Sequence, residues 1–333
     1  MPVLLRVGPD DLLRCRFAVS PVFETHEAVR TLRRADRHGY HLPWLRQLGG
    51  AAAGLDLEPL WIFMPGDRPG YTPDFLGGPP RGAYTSPEEG IARLRATDPG
   101  LARAEMEMSF ATIPGAGESA LGRELLADPA AAVQRLADLT ERAWHTLVEP
   151  YWPRLRELLE AEIAYRARQL AAGGLAGLFA GLHERLSYAD GTLTVRTRDQ
   201  QLMERELGGE GLLLMPSAFV WPDVVSGFQP PWQPTVIYPA RGVGGLWVRD
   251  AAPEAARTLE RLLGAGRARV LAALAEPAST SALATRLELA PSSVSAHLKV
   301  LRAAGLLSAR RARHEVLYER TPLGMALVGG VVA

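Results

Sequence analysis

The sequence is nearly devoid of two residue types on which many active sites and metal sites depend. Cys15 is its only cysteine, which excludes an intramolecular disulfide and any metal site made of paired thiolates. Lys299 is the only lysine among 37 basic residues, so the rest of the chain offers no lysine for a phosphate-binding loop or a Schiff base. A Gly-x-Ser-x-Gly nucleophile motif is absent as well. We therefore expect no catalytic residues, no bound metal and no cofactor.

Long apolar runs of the kind that cross a membrane are also missing. The longest stretch without a charged residue, 224–240, contains four prolines and cannot form a continuous helix. The first residues, MPVLLRVGPDDLL, lack the basic start and apolar run of a signal peptide. We expect no contact with a membrane and a cytoplasmic location.

Charge is segregated along the chain, although the net charge is zero. Residues 254–333 contain 11 basic and 6 acidic residues, a net charge of +5, so the preceding 253 residues carry −5. A local basic surface near the end of the chain is therefore expected, and nucleic acid is a natural partner for it.

The length of 333 residues predicts more than one domain. Residues 1–128 read as short helices broken by loops. Three helices then follow: one from Asp128-Pro129 to about Val148, one from Glu149-Pro150 to about Ala172, which Gly173-Gly174 ends, and one that continues to about Ser187. After Asp190 the pattern alternates, and TVIYPARGVGGLWV reads as strand, turn and strand. We predict an α+β, mainly helical fold: a large N-terminal helical domain with a small antiparallel sheet (1–253), a linker helix (254–265) and a winged helix (266–333).

The winged-helix prediction follows from the order of elements after Gly266. Two short helices lead into PSSVSAHLKVLRAAG, where Pro291 begins a third helix and Gly305 ends it. LLSARR and HEVLYER then read as the two strands of a hairpin. Helix, helix-turn-helix and hairpin together form a winged helix.

The third helix has two different faces. At about 100° per residue, Val294, Leu298 and Leu301 fall in one narrow arc that must pack on the preceding helices. Small, polar or basic residues cover the opposite side: Ser292, Ser295, Ala296, Lys299 and Ala303. Such a face suits the major groove of DNA, because small side chains let the backbone approach the base edges.

The segment STSALATRLELAPSSVSAHLKVLRAAGLLSARRARHEVLYERTPLG resembles the winged helix of the ArsR family of bacterial transcription regulators. Two departures are visible: Ala290 replaces the usual hydroxyl cap of the third helix, and the wing turn RARH lacks a glycine. The resemblance implies a homodimer that binds an inverted repeat in double-stranded DNA, most often as a repressor. It also implies no metal sensing here, since the module has no cysteine and the tail TPLGMALVGGVVA has no ligand side chain.

The same resemblance assigns residues to the DNA. In the third helix they are Ser292, Ser293, Ser295, Ala296, His297, Lys299 and Arg302. The wing contributes Arg310, Arg311, Arg313 and His314, and the start of the second helix contributes Thr280 and Ser281. Two alternatives stay open: His297 bonds to a neighbouring helix or phosphate instead of reading a base, and the wing arginines form an ordinary solvated turn.

The long N-terminal part resembles, more loosely, a domain of unestablished function that precedes such winged helices in actinobacterial regulators. Matching segments are YTPDFLGGPP, GLLLMPSAFVW and VIYPARGVGGLW. Its aromatic residues either form core or line a pocket for a small-molecule effector, built on Phe219, Trp221, Trp232, Tyr238 and Trp247. The alternative functions are an enzyme, or a protein-interaction domain, that carries an appended winged helix.

Overall fold

Two units, each discontinuous along the chain, make up the fold. The computed structural model describes residues 2–34, 39–48, 50–64, 70–179, 181–196, 203–227, 230–247, 253–274, 277–312 and 315–328. The first unit consists of Met1–Arg33 and Gly50–Ala240, and the second of Arg34–Gly49 and Arg241–Ala333.

Helices dominate the first unit. They are α1 (Pro9–Leu12), α2 (Pro21–Arg33), α4 (Glu58–Trp61), α5 (Pro87–Arg95), α6 (Pro99–Thr112), α7 (Ala120–Ala127), α8 (Pro129–Ala143) and α9 (Trp152–Phe179), with α3 (Leu42–Leu48) belonging to the second unit. Several begin in the same way: a side chain caps the helix and proline follows at its first position, as in Asp98-Pro99 and Asp128-Pro129.

Two breaks divide the helical stretch that begins with α8, at or near the predicted breaks at Glu149-Pro150 and Gly173-Gly174. A π-helical turn, Trp144–Val148, and a short 3-10 turn, Glu149–Tyr151, separate α8 from α9. Inside α9 the backbone of Gly174 has φ of 58°, which breaks the helix there. The expectation of a helix as far as Ser187 was wrong, because a strand begins at Leu186.

Two four-stranded sheets belong to the first unit. The first, in the order β3-β4-β1-β5, combines β1 (Pro2–Arg6), β3 (Leu186–Ala189), β4 (Thr192–Arg196) and β5 (Met203–Glu206). The second, in the order β2-β6-β8-β7, combines β2 (Arg16–Phe17), β6 (Leu213–Ser217), β7 (Val225–Gly227) and β8 (Thr235–Pro239). Both contain parallel as well as antiparallel pairs, whereas one antiparallel sheet was expected.

The sequence pattern missed β1 because the strand is short and its partners lie nearly 200 residues away. Leu4 pairs with Thr194 on one side and with Glu204 on the other. The second strand expected in TVIYPARGVGGLWV is instead the short helix α10 (Val243–Leu246), which Gly242 precedes with φ of 84°. In both segments, tertiary packing rather than the local sequence pattern determines whether a strand or a helix forms.

The second unit contains the predicted winged helix. Its further elements are α11 (Pro253–Leu263), α12 (Ala265–Ala273), β9 (Ala278–Ser279), α13 (Thr280–Leu287), α14 (Pro291–Ala303), β10 (Leu307–Ala312), β11 (Glu315–Arg320) and α15 (Pro322–Val328). The strands form one sheet in the order β10-β11-β9. The α+β, mainly helical fold class with a C-terminal winged helix is confirmed.

Residues 34–49 join the second unit although they lie far from it in sequence. The indole rings of Trp44 and Trp247 stack with centroids 5.9 Å apart, and the Nε1 of Trp247 donates a 2.9 Å hydrogen bond to the Nδ1 of His41. All three side chains are buried, so this cluster fixes the early segment to the C-terminal unit. None of the helices in the described ranges is both long enough and apolar enough to cross a membrane.

Candidate nucleic-acid interface

Helix α14 buries one face and exposes the other, as its sequence predicts. Val294, Leu298 and Leu301 are 0%, 0% and 1% exposed and belong to the core of the winged helix. The opposite face is exposed at Ser292, Ser293, Ser295, Ala296, Lys299 and Arg302. The face offered to solvent is thus made of hydroxyl, methyl and cationic groups, together with the exposed side chain of Val300.

The start of α14 leaves backbone donors without a side-chain cap. Ala290 occupies the capping position and makes no side-chain hydrogen bond, and Pro291 follows at the first position. Because the backbone N–H groups of Ser292 and Ser293 lie in the first turn, the helix itself supplies no acceptor for them. An anion is favoured at such a helix start.

The end of α14 is fixed by Gly305. Its φ is +72°, its N–H donates to the carbonyl of Arg302 at 3.0 Å, and the N–H of Leu306 donates to the carbonyl of Leu301 at 2.9 Å. These two bonds form a Schellman motif, which stops the helix and turns the chain into β10. The predicted stop at Gly305 is confirmed.

The preceding helix, α13, places two further candidate residues. Ser279 caps it, accepting a hydrogen bond from the N–H of Ala282 at 3.3 Å. Thr280 is half-buried and Ser281 is exposed in the first turn. Glu288 ends the helix with φ of +54°, a left-handed residue that makes the turn between α13 and α14.

His297 lies at the edge between the two faces of α14. It is half-buried, and its ring faces α12, where a β-carbon added to Gly266 would come within 2.6 Å of its Nε2. This packing favours the interpretation of His297 as a residue that contacts the neighbouring helix over the one that makes it read a base.

The wing is an antiparallel pair of strands, and Arg310 and Arg311 lie on β10. Arg310 pairs with Leu317 and Arg311 with Val316. The side chain of Arg311 is exposed. The side chain of Arg310, together with Arg313 and His314, lies outside the described residues, and their roles stay predictions.

A fourth arginine of the hairpin has a structural position that the sequence pattern did not predict. Arg320 is 5% exposed, and its Nε donates a 2.8 Å hydrogen bond to the carbonyl of Leu271, while its Nη2 donates to the carbonyl of Ala272. Burial lowers its pKa to about 10, so it is still charged at neutral pH. The alternation of side chains along the strand could have predicted this burial, because Arg320 shares a face with Tyr318, which packs on the core.

Two more arginines form hydrogen bonds between α12 and α13. Arg286 donates to the carbonyl of Ala273 at 2.8 Å, and Arg269 donates to the carbonyl of Leu287 at 3.2 Å. Among the described residues from 266 to 328, none of the basic side chains forms an ion pair. Within the described part of residues 266–328, ion pairs therefore do not neutralise the positive charge.

The five aromatic residues predicted to line an effector pocket are distributed over the two units. Phe219 and Tyr238 are fully buried in the first unit, Trp221 and Trp232 are half-buried there, and Trp247 packs on His41 in the second. Within the described residues no group of three or more His, Cys, Asp and Glu side chains is arranged to hold a metal ion.

Comparison with protein families identifies two segments of the chain. Residues 267–308 match a helix-turn-helix domain, which covers α12, α13, α14 and the start of the wing. Residues 92–244 match a family of unknown function, DUF5937. Neither a curated protein nor a solved structure matches the chain significantly. A helix-turn-helix domain indicates a DNA-binding regulator. The chain carries an ArsR-type helix-turn-helix domain at its C-terminus, preceded by a domain of a family of unknown function.

Proposed function

We propose that this protein is a sequence-specific transcriptional regulator, most simply a repressor, that binds an inverted repeat in double-stranded DNA as a homodimer. The observation that carries the proposal is the exposed face of α14, where serine hydroxyls and the methyl group of Ala296 surround Lys299, and Val300, 47% exposed, is its one larger apolar side chain. A helix of this kind enters the major groove and leaves its apolar arc on the helices behind it.

The base-contacting set consists of exposed residues in the first turns of α14. The hydroxyl groups of Ser292, Ser293 and Ser295 and the amine of Lys299 can donate to or accept from base edges, and Ala296 allows close approach. His297 joins this set only if its ring leaves Gly266.

The phosphate-contacting set surrounds the helix. Arg302 and Arg311 are exposed cations that form no ion pair among the described residues, and Thr280 and Ser281 begin α13. The uncapped start of α14 adds backbone N–H donors for a phosphate. Arg310, Arg313 and His314 complete the set in the wing.

The first unit is assigned to effector binding, dimerisation or both, and we assign it no catalytic residue, metal or cofactor. The first unit supplies most of the proposed sensing domain (1–253), which a linker helix (254–265) connects to the DNA-binding domain (266–333). A ligand bound in the sensing domain alters the affinity of the DNA-binding domain for DNA. The cytoplasm, where DNA is accessible, is the expected location.

Lys299 allows an unusually direct test, because it is the only lysine and is exposed. Genomic footprinting with the purified full-length chain first identifies the bound sites. Acetylation with a limiting amine-reactive ester then modifies Lys299 and the N-terminal amine, and mass spectrometry measures both. DNA of a footprinted site should slow the acetylation of Lys299 at least about tenfold, while the N-terminal amine serves as an internal control.

Two variants separate base reading from general affinity. Ser295→Ala and Lys299→Met should change which sequences are preferred, whereas Arg103→Met, on the exposed face of α6 in the first unit, should change nothing. Equal acetylation of Lys299 with and without DNA, at a concentration that saturates the protein, would contradict the proposed interface. Absence of measurable DNA binding at low salt would favour a protein-contacting winged helix instead.

A further inference from the structure

A cavity in the first unit differs from the aromatic pocket that the sequence suggested. Its volume is about 430 Å³, which lies in the range of small-molecule sites. Its apolar lining comes from Val22, Phe75, Leu76, Leu94 and Leu101. Of the five aromatic residues named above, Trp232 alone is among its described lining residues.

Three arginines line the same cavity: Arg16, Arg81 and Arg93. They are close enough to affect one another: burial lowers the pKa of Arg93 most, the positive charge of Arg81 lowers it further, Glu89 raises it, and Arg16 has the smallest lowering effect. Burial also lowers the pKa of Arg16. Clustered like charges beside apolar surface are unfavourable unless an anion joins them.

No carboxylate forms an ion pair with this cluster within the described part of the chain, although Glu89 acts on Arg93 from beyond ion-pair distance. Neither Arg16 nor Arg93 forms an ion pair there, although arginines elsewhere in the unit, such as Arg95 and Arg166, do. The one acidic residue among the described lining is Asp98, whose carboxylate accepts the N–H of Leu101 at 2.9 Å and so caps α6. Asp98 is thus already engaged by its own helix.

The guanidinium groups are held in place by neutral acceptors. Arg16 donates to the carbonyl of Gly82 at 3.1 Å, to the carbonyl of Pro80 and to the Oε1 of Gln233 at 2.8 Å. Arg93 donates one bond, from Nη1 to the carbonyl of Pro79 at 3.0 Å. A guanidinium has five N–H donors, so most of those on Arg93 have no protein acceptor among the described residues.

The aromatic wall of the cavity is fixed as well. The Nε1 of Trp232 donates a 2.7 Å hydrogen bond to the Oε1 of Glu105, a carboxylate on the buried side of α6. A β-carbon at Gly78 would come within 2.8 Å of the Cζ3 of Trp232, so only glycine allows the ring to lie where it does. The indole therefore presents a rigid apolar surface beside the arginines.

We infer that this cavity binds a small organic anion, whose carboxylate or phosphate group pairs with Arg93, Arg16 and Arg81 while its apolar body lies against Trp232 and the leucines. Bidentate pairing with a planar or tetrahedral oxyanion is what a guanidinium does best. The assignment of this anion as the effector rests on the proposed regulatory function, whereas the binding site itself does not.

The binding site is tested with three probes of one shape: 1-naphthoate, 1-naphthyl phosphate and the neutral 1-naphthamide. Calorimetric titration of the full-length chain without DNA should show saturable binding of one or both anions. The dissociation constant of the tighter anion should be at least about tenfold lower than that of the amide. The preferred anion distinguishes a carboxylate from a phosphate ligand. Equal binding of the amide and the anions, or no binding of any probe, would overturn the inference.

Two variants locate the site. Arg93→Gln should weaken the anion at least about tenfold and leave the amide unaffected, whereas Arg103→Gln, which removes an equal charge from an exposed helical pair, should do neither. If Arg93→Gln melts below the wild type, Arg81→Gln decides, because Arg81 is exposed and its loss does not disturb the core. Unchanged anion binding in a well-folded Arg93→Gln or Arg81→Gln variant would overturn the assignment.

The effector role is measured separately, on DNA. The anion should shift the affinity of the wild type for its footprinted site and leave that of Arg93→Gln unchanged. An unshifted affinity in the wild type would overturn the effector role. If the chain binds naphthoate but no DNA, the result contradicts the proposed function and still supports the anion site.

Discussion

The imidazole of His297 lies directly against the backbone of Gly266, so that at this point α14 contacts the bare backbone of α12. A β-carbon at position 266 would be 2.6 Å from the Nε2 and 3.0 Å from the Cε1 of His297. Gly266 therefore serves close helix packing, and the ring of His297 is directed at a neighbouring helix.

This packing predicts a strong coupling between the two positions. Gly266→Ala should lower the free energy of unfolding by about 1–2 kcal/mol, because the new methyl group overpacks the site. In a His297→Ala background the same substitution should be neutral or stabilising, because the space is then free and alanine favours the helix. Urea unfolding of the four proteins of this double-mutant cycle gives the coupling, and additive effects would contradict the close approach of the two residues.

The wing should act through charge. Replacing Arg310, Arg311 and Arg313 together by alanine should weaken binding to all DNA sequences and flatten the plot of log affinity against log salt. The slope should change by about 0.9 for each DNA phosphate that the variant no longer neutralises. The control is a variant with Arg103, Arg135 and Arg156 replaced by alanine, which removes three exposed charges from helices of the first unit. An identical slope in the wing variant and the wild type would exclude phosphate binding by the wing.

Arg320 should behave in the opposite way, although it lies in the same hairpin. Arg320→Met removes the charged donors to the carbonyls of Leu271 and Ala272, and a hydrogen bond from a charged group contributes about 1.5–3 kcal/mol to stability. Among the described residues, the carbonyl of Leu271 then keeps only the 3.3 Å hydrogen bond from the N–H of Leu274. Arg311→Met, on an exposed strand position, should change the stability by less than about 0.5 kcal/mol. Thermal unfolding distinguishes the two. For Arg320→Met, the salt dependence of DNA binding should match that of the wild type.

The winged helix could be predicted from the sequence because its signals are local. The apolar spacing of Val294, Leu298 and Leu301, the proline at 291 and the glycine at 305 each act within a few residues. Signals of the same local kind predict the capped start of α8 at Asp128-Pro129.

The rest of the fold depends on interactions between distant residues. Strand β1 is stabilised by partners near residues 194 and 204, and α10 forms where the pattern predicted a hairpin. Residues 34–49 join the C-terminal unit through the stacked rings of Trp44 and Trp247, which no local pattern reveals. Arg16, Arg93 and Trp232 also lie far apart in the sequence, so their spacing could not predict that they line the same cavity.

Two buried groups on α2 predict how the stability of the first unit depends on pH. Burial raises the pKa of Glu24 to about 8, opposed by its hydrogen bonds from Ser217 and from the N–H of Ala218. Burial lowers the pKa of His26 to about 3. The hydroxyl of Thr140 donates to the carbonyl of Leu136, so the ring of His26 donates to Thr140 from its Nε2 as a neutral imidazole.

The two groups act in opposite directions. Since the folded chain keeps Glu24 protonated, its contribution is complete below the unfolded pKa of about 4.5 and is lost as the pH rises to about 8. Since the folded chain keeps His26 neutral, its contribution is complete above about 6.5 and is lost as the pH falls to about 3. Between 4.5 and 6.5 the two changes offset each other.

We therefore expect the stability measured by urea unfolding, followed by tryptophan fluorescence, to fall between pH 6.5 and 8 at a rate of at most about 1.4 kcal/mol per pH unit. Glu24→Gln should abolish that fall, because a glutamine cannot ionise and still accepts the N–H of Ala218. His26→Gln should instead abolish the loss of stability below pH 4.5 and leave the alkaline fall intact. The exposed Glu107→Gln serves as the matched control. An alkaline fall of the same size in Glu24→Gln and in the wild type would show that another group is responsible.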